Sequence, residues 1–126
     1  MSFNPQDSYV FLNPDGTAVS VPGGDAFWRR LEQGIAGTAG GWLVSEYLLE
    51  RDWANWEMHP DGDEFVYLLS GTAQLHIEQP GVIHIVNLAD SGAAIVPRGA
   101  WHTVKIKSPS RMLHITRGTG TLSRPA

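Results

Sequence analysis

Apolar and polar residues alternate at intervals of two along most of this chain, and Gly, Pro, Asn and Asp break the alternation every few residues. A period of two puts successive side chains on opposite faces of a strand, and the breaks supply turns. The clearest case is 73–78, where Ala73, Leu75 and Ile77 alternate with Gln74, His76 and Glu78. The same pattern predicts strands at 42–50, 53–59, 65–69, 82–88, 93–96, 102–106 and 112–116. Ahead of these, 9–12 and 17–21 flank Asn13-Pro14-Asp15-Gly16 as a hairpin. One helix is expected, at 26–33, with Asp25 as its N-cap, Gly34 as its stop, and Phe27 and Leu31 as a buried stripe. Strands this short, punctuated this regularly, point to an antiparallel sandwich or barrel.

Composition narrows the class. At 126 residues, with 42% hydrophobic and 17% charged content, the chain suits one globular domain with its own core. A net charge of -4 gives no long-range attraction to nucleic acid or to an anionic membrane, so neither is expected as a partner. The absence of cysteine removes disulfides, thiolate metal sites and thiol catalysis. No apolar run approaches the roughly 20 residues that span a bilayer, and the first residues carry no leader pattern, so a cytoplasmic protein is the expectation.

The chemistry concentrates in 56–71, W-E-M-H-P-D-G-D-E-F-V-Y-L-L-S-G, and in Pro97-Arg98-Gly99-Ala100-Trp101-His102. Glu57 and His59 are two apart and share a strand face. Pro60-Asp61-Gly62-Asp63 reads as a turn that brings Glu64 back beside His59, and His102 follows a second Pro and Gly turn. Imidazole and carboxylate together suit a divalent ion. Two carboxylates move the preference toward manganese or iron(II), with nickel and zinc also within range. Burying Glu57 and Glu64 together without a cation would be costly, because each carboxylate raises the pKa of the other.

These two stretches resemble the motifs of the cupin family, H-x-H, three or four residues, Glu, six residues, Gly, and then P-x-G-x-x-H. E-M-H, four residues, Glu64, six residues and Gly71 keep the first spacing, and P-R-G-A-W-H keeps the second. Glu57 stands where the family has its first histidine, Arg51 where a glycine usually precedes the motif, and Ile106 where an asparagine often follows. The resemblance implies an all-β double-stranded β-helix, or jelly-roll, over 40–118, preceded by an arm at 1–39 and followed by a tail at 119–126. It also implies a homodimer and a metal held by Glu57, His59, Glu64 and His102.

Strand parity extends the site. If Glu57 and His59 face the lumen, so do Trp53 and Asn55; Val66 and Leu68 share the face of Glu64, and Val104 that of His102. His114 joins them if the closing strand is buried on both faces. His76 and His84 are expected to point away from the lumen, and Trp101 to shield the rim. The pocket is then a polar cluster in an apolar can, suited to a small organic ligand. Three functions fit: a metal-dependent enzyme such as an oxygenase or isomerase, a non-catalytic small-molecule or metal sensor, and a metal-free dimeric scaffold. Fold alone does not choose among them.

Overall fold

The structure, a computed structural model, describes all residues from Met1 to Ala126. Nine strands and one helix follow in the order β1 (Ser8–Leu12), β2 (Ala18–Pro22), α1 (Phe27–Gln33), β3 (Trp42–Leu49), β4 (Asn55–Met58), β5 (Glu64–Gln79), β6 (Val82–Leu88), β7 (Ala93–Val96), β8 (His102–Thr116) and β9 (Leu122–Pro125). All pairings are antiparallel. β5 and β8 run side by side for most of their length and form the spine of a jelly-roll barrel. β5 also carries β6 and β7, and β8 carries β3 and β4.

The pattern expected two strands on either side of Ser70-Gly71, and two more within 102–116. Each pair is one long bent strand. Register shifts between Leu68 and Ala73 bend β5 and change its parity. Glu64, Val66 and Leu68 point inward before the bend, and Ala73, Leu75 and Ile77 after it. Gly71 permits the bend. Its φ is +100°, and a Cβ there would collide with the Pro109 carbonyl and the Ser110 side chain.

The barrel core comprises Val66, Leu68, Ala73, Leu75, Ile77, Leu88, Val96, Val104 and Met112. A second core forms outside it from Tyr9, Phe11, Val21, Phe27 and Leu43. There β1 adds to the edge of β3, as Val10 pairs with Val44 and Phe11 with Leu43. The arm therefore extends the barrel sheet and covers an edge that would otherwise be open. Phe27 is fully buried and meets Tyr9 edge-on at 4.9 Å, which pins α1 across one end of the barrel. Asp25 does not cap this helix. The chain is already helical at Ala26, which takes the N-cap position with no side-chain cap bond. Residues 119–126, expected as a tail, are ordered against the barrel, with β9 paired to β4 from Asn55 to Met58. No helix is long and apolar enough to cross a membrane.

Candidate metal centre

The two motif turns are bonded to each other. Gly99 N–H donates to the His59 carbonyl at 3.0 Å, and Arg98 N–H donates to Asp63 Oδ1 at 2.7 Å. These bonds dock the start of β8 beside the β4–β5 turn. Three side chains from that junction, His59, Glu64 and His102, offer ligand atoms that all lie within 4.8 Å of one another. Glu64 Oε2 is 3.3 Å from His59 Nε2, and Glu64 Oε1 is 3.2 Å from His102 Nε2. All three residues are buried.

These contacts lie at ion-pair distance, yet Glu64 Oε1 and His102 Nε2 have no aligned hydrogen bond. The outer nitrogens of the imidazoles are already engaged. His102 Nδ1 lies 3.2 Å from the Ala100 carbonyl, which can only accept, so Nδ1 is the protonated nitrogen and Nε2 turns a lone pair inward. His59 Nδ1 lies 2.8 Å from Thr121 Oγ1. The cluster thus brings two imidazole nitrogens and a carboxylate together, an arrangement that could hold a metal ion. Ligands about 2.1 Å from a shared ion, at tetrahedral or octahedral angles, sit about 3.0–3.4 Å apart. The observed 3.2 and 3.3 Å run to the two different oxygens of Glu64 and are compatible with that spacing, so the three residues could hold a divalent ion.

Electrostatics agree. Burial pushes the Glu64 carboxyl up, but His102, His114 and His59 outweigh it and hold the group well below the usual carboxylate range. Burial lowers His102, and Glu64 more than reverses this, so His102 titrates above its ordinary value.

Glu57, expected as a fourth ligand, is not part of this cluster. It is half-buried on the cavity wall, paired across strands with His102. Burial first, and then the Glu64 charge, raise its pKa, against the opposing pull of the imidazoles. His114 also approaches Glu64, with Nδ1 3.6 Å from Oε2 and Nε2 unpartnered.

A cavity of about 250 Å³ opens beside the cluster and is bounded by Trp53, Asn55, Glu57, His59, Glu64 and His114. Trp53 and Asn55 therefore face it, and Trp53 stacks on His114 with ring centroids 5.8 Å apart. Val66, Leu68 and Val104 do not face it. They share the parity of Glu64 and His102, but each two-residue step moves about 6.6 Å along the strand. That step carries them past the cavity into the closed barrel core.

The cavity also takes Ser45 and Tyr47 from β3, Thr116 from β8 and Trp28 from α1. None of these carried a motif signal. Ser45 and Tyr47 reach the lumen because β3 pairs with β8, Ser45 opposite His114, a long-range register that alternation alone does not specify. Burial raises the Tyr47 hydroxyl above its ordinary range, so it stays neutral. No Lys or Arg lines the cavity. His76 is half-buried on the outer face and His84 is exposed. Trp101 lies under Arg124, 4.5 Å from its guanidinium carbon, and not at the cavity mouth.

No protein-family model matches the sequence, and no curated protein matches it. Solved structures do. A point mutant of oxalate decarboxylase OxdC from Bacillus subtilis aligns at a TM-score of 0.54 with 19% identity, over 67% of this chain and 23% of that one. Peruvianin-I, described as a cysteine peptidase from Thevetia peruviana latex, aligns at 0.57 with 12% identity, over 68% and 56%. A cupin-2 domain protein from Shewanella frigidimarina aligns at 0.48 with 20% identity, over 61% and 70%. The chain thus spans 23% of the length of the oxalate decarboxylase it matches. Together with the two motifs, the likenesses to oxalate decarboxylase and Peruvianin-I show the fold: a cupin-type jelly-roll barrel.

Proposed function

We propose that this barrel binds a divalent metal ion through His59, Glu64 and His102 and uses it to act on a small organic molecule in the adjoining cavity. The observation that carries the reading is Glu64, whose two oxygens stand 3.2 and 3.3 Å from inward-facing imidazole nitrogens. A bound ion would supply Lewis acidity and open coordination positions, the chemistry of metal-dependent oxygenases and isomerases. Manganese and iron(II) suit a set containing a carboxylate, with nickel and zinc as the other ions of the expected range. Mn(II) centres are named for the oxalate decarboxylase of Bacillus subtilis, which adds support for manganese here.

The chain's own residues select the ligand. Glu57 and Glu64 bring two carboxyl groups to a cavity with no Lys or Arg, so the walls themselves offer a carboxylate no countercharge and only the bound ion would attract one. Trp28, Tyr47 and Trp53 offer aromatic faces to a flat molecule, and Ser45 and Asn55 offer polar groups to its edge. A volume of about 250 Å³ exceeds the roughly 150 Å³ that accepts a benzene ring, so one substituted ring fits.

The same site would serve a sensor that binds without turnover, and elemental analysis followed by a turnover screen separates the two. Metal content is measured in wild-type protein beside a His59→Ala/His102→Ala double mutant. Stoichiometric metal in the wild type and none in the mutant is expected. A wild type that stays metal-free after reconstitution with each of the four ions would sink the proposal.

A further inference from the structure

We infer that Thr121 is a positioning residue for the metal centre: its hydroxyl fixes His59 in the tautomer that leaves Nε2 free for the ion. The inference rests on the metal reading above and extends it to a segment outside both motifs.

The argument is one of proton counting. Thr121 Oγ1 is 2.8 Å from the Gly118 carbonyl and 2.8 Å from His59 Nδ1. A hydroxyl has one proton to give, and the Gly118 carbonyl can only accept it. Towards His59, therefore, Thr121 Oγ1 is the acceptor, and Nδ1 must carry the imidazole proton. The neutral ring then has its lone pair on Nε2, the atom that faces Glu64 at 3.3 Å. His102 reaches the same tautomer through a backbone carbonyl. For His59 the lock is a single side chain, and so it can be changed by substitution.

The segment that delivers this hydroxyl is braced on three sides. Thr121 closes a turn from Gly118, with its N–H 3.2 Å from the Gly118 carbonyl. Gly120 takes φ +75° in that turn, and a Cβ there would stand 3.3 Å from the Pro60 ring, beside His59 itself. At Gly118 an added Cβ would stand 3.1 Å from Leu31 of α1. β9 follows at once, paired to β4, and Arg124 anchors it by pairing with Glu78 and lying over the Trp56 and Trp101 rings. Outer-shell partners held this firmly fix ring orientation as well as tautomer.

The test uses the full chain, stripped with chelator, with cobalt(II) as the probe and Thr121→Val and Thr121→Ser as variants. Thr121→Val keeps the shape and removes the acceptor, and it should weaken cobalt affinity by about 10–100-fold. Thr121→Ser should bind close to wild type. Nitrogen-15 imidazole spectra of the metal-free protein at pH 8 supply a second readout. His59 should show Nδ1–H in wild type and Thr121→Ser, and lose that preference in Thr121→Val, while His102 stays unchanged as an internal control. Wild-type affinity in Thr121→Val, or a fall in melting temperature alone, would overturn the inference. So would a wild-type His59 in the Nε2–H form, which requires no variant to fold. A wild type that takes up neither cobalt nor any of the four ions named above would defeat the metal reading instead, and the tautomer spectra would still test the role of Thr121.

Discussion

Glu64 Oε1 stands 3.2 Å from His102 Nε2, and both atoms are buried without an aligned hydrogen bond. Two buried groups at that distance form an ion pair with each other, and under the proposed function they would share an ion. Glu64→Gln keeps the shape and removes the charge that attracts the ion. Its metal affinity should fall by more than the roughly 10–100-fold that follows loss of an outer-shell partner. Glu57→Gln, outside the cluster, should retain stoichiometric metal. Elemental analysis of the two variants side by side checks both. Equal metal loss in the two would return Glu57 to the ligand set.

Metal removal should destabilise the protein. An ion that binds the folded chain and not the unfolded one adds about 2.7 kcal/mol at a hundredfold excess over its Kd. For a chain of 126 residues this corresponds to a rise in Tm of about 10 °C. Chelator should lower the melting temperature by that order, and the accepted ion should restore it. A curve indifferent to chelator and to all four metals would leave the cluster as a proton-bridged polar core.

Charge should decide which small molecules enter. Benzyl alcohol and benzoate are close in size and differ by one negative charge. With Glu57 and Glu64 at the cavity, no Lys or Arg on its walls and no ion bound, benzyl alcohol should bind more tightly than benzoate. Competition measured by ligand-observed NMR on the metal-free protein checks this without invoking the ion. Equal binding of the two would show that the carboxyl groups do not set the selectivity.

The parts of this molecule that could be read from sequence are those governed by local geometry. Alternation at 73–78 correctly assigned Leu75 and Ile77 to the core, and the motif spacing anticipated that His59, Glu64 and His102 would meet. What could not be read depends on pairing between distant segments. Tyr47 reaches the cavity through the register of β3 on β8 and Trp28 through the packing of Phe27 on Tyr9, while Thr121 reaches His59 through β9 on β4. Val66 and Leu68 show the limit of parity itself. It gives the correct face of a strand and says nothing about how far along the barrel axis a site extends.

The two cores make a final, local prediction. Phe27 is fully buried in the outer core with Tyr9, Phe11, Val21 and Leu43, whereas Glu64 and His102 lie on β5 and β8, the strands that carry most of the barrel core. Phe27→Ala removes a large aromatic side chain and should cost about 3–5 kcal/mol where its cavity cannot collapse. That loss should fall mainly on the arm, because none of the three ligands lies on β1, β2 or α1. Amide hydrogen exchange should therefore accelerate in β1, β2 and α1 and change little in the paired halves of β5 and β8, with metal content retained. Leu68→Ala, in the barrel core, should accelerate exchange throughout β5 and β8. Uniform acceleration in Phe27→Ala would mean that arm and barrel unfold as one unit, and that the hold of α1 on the Gly118 turn is inseparable from the stability of the site.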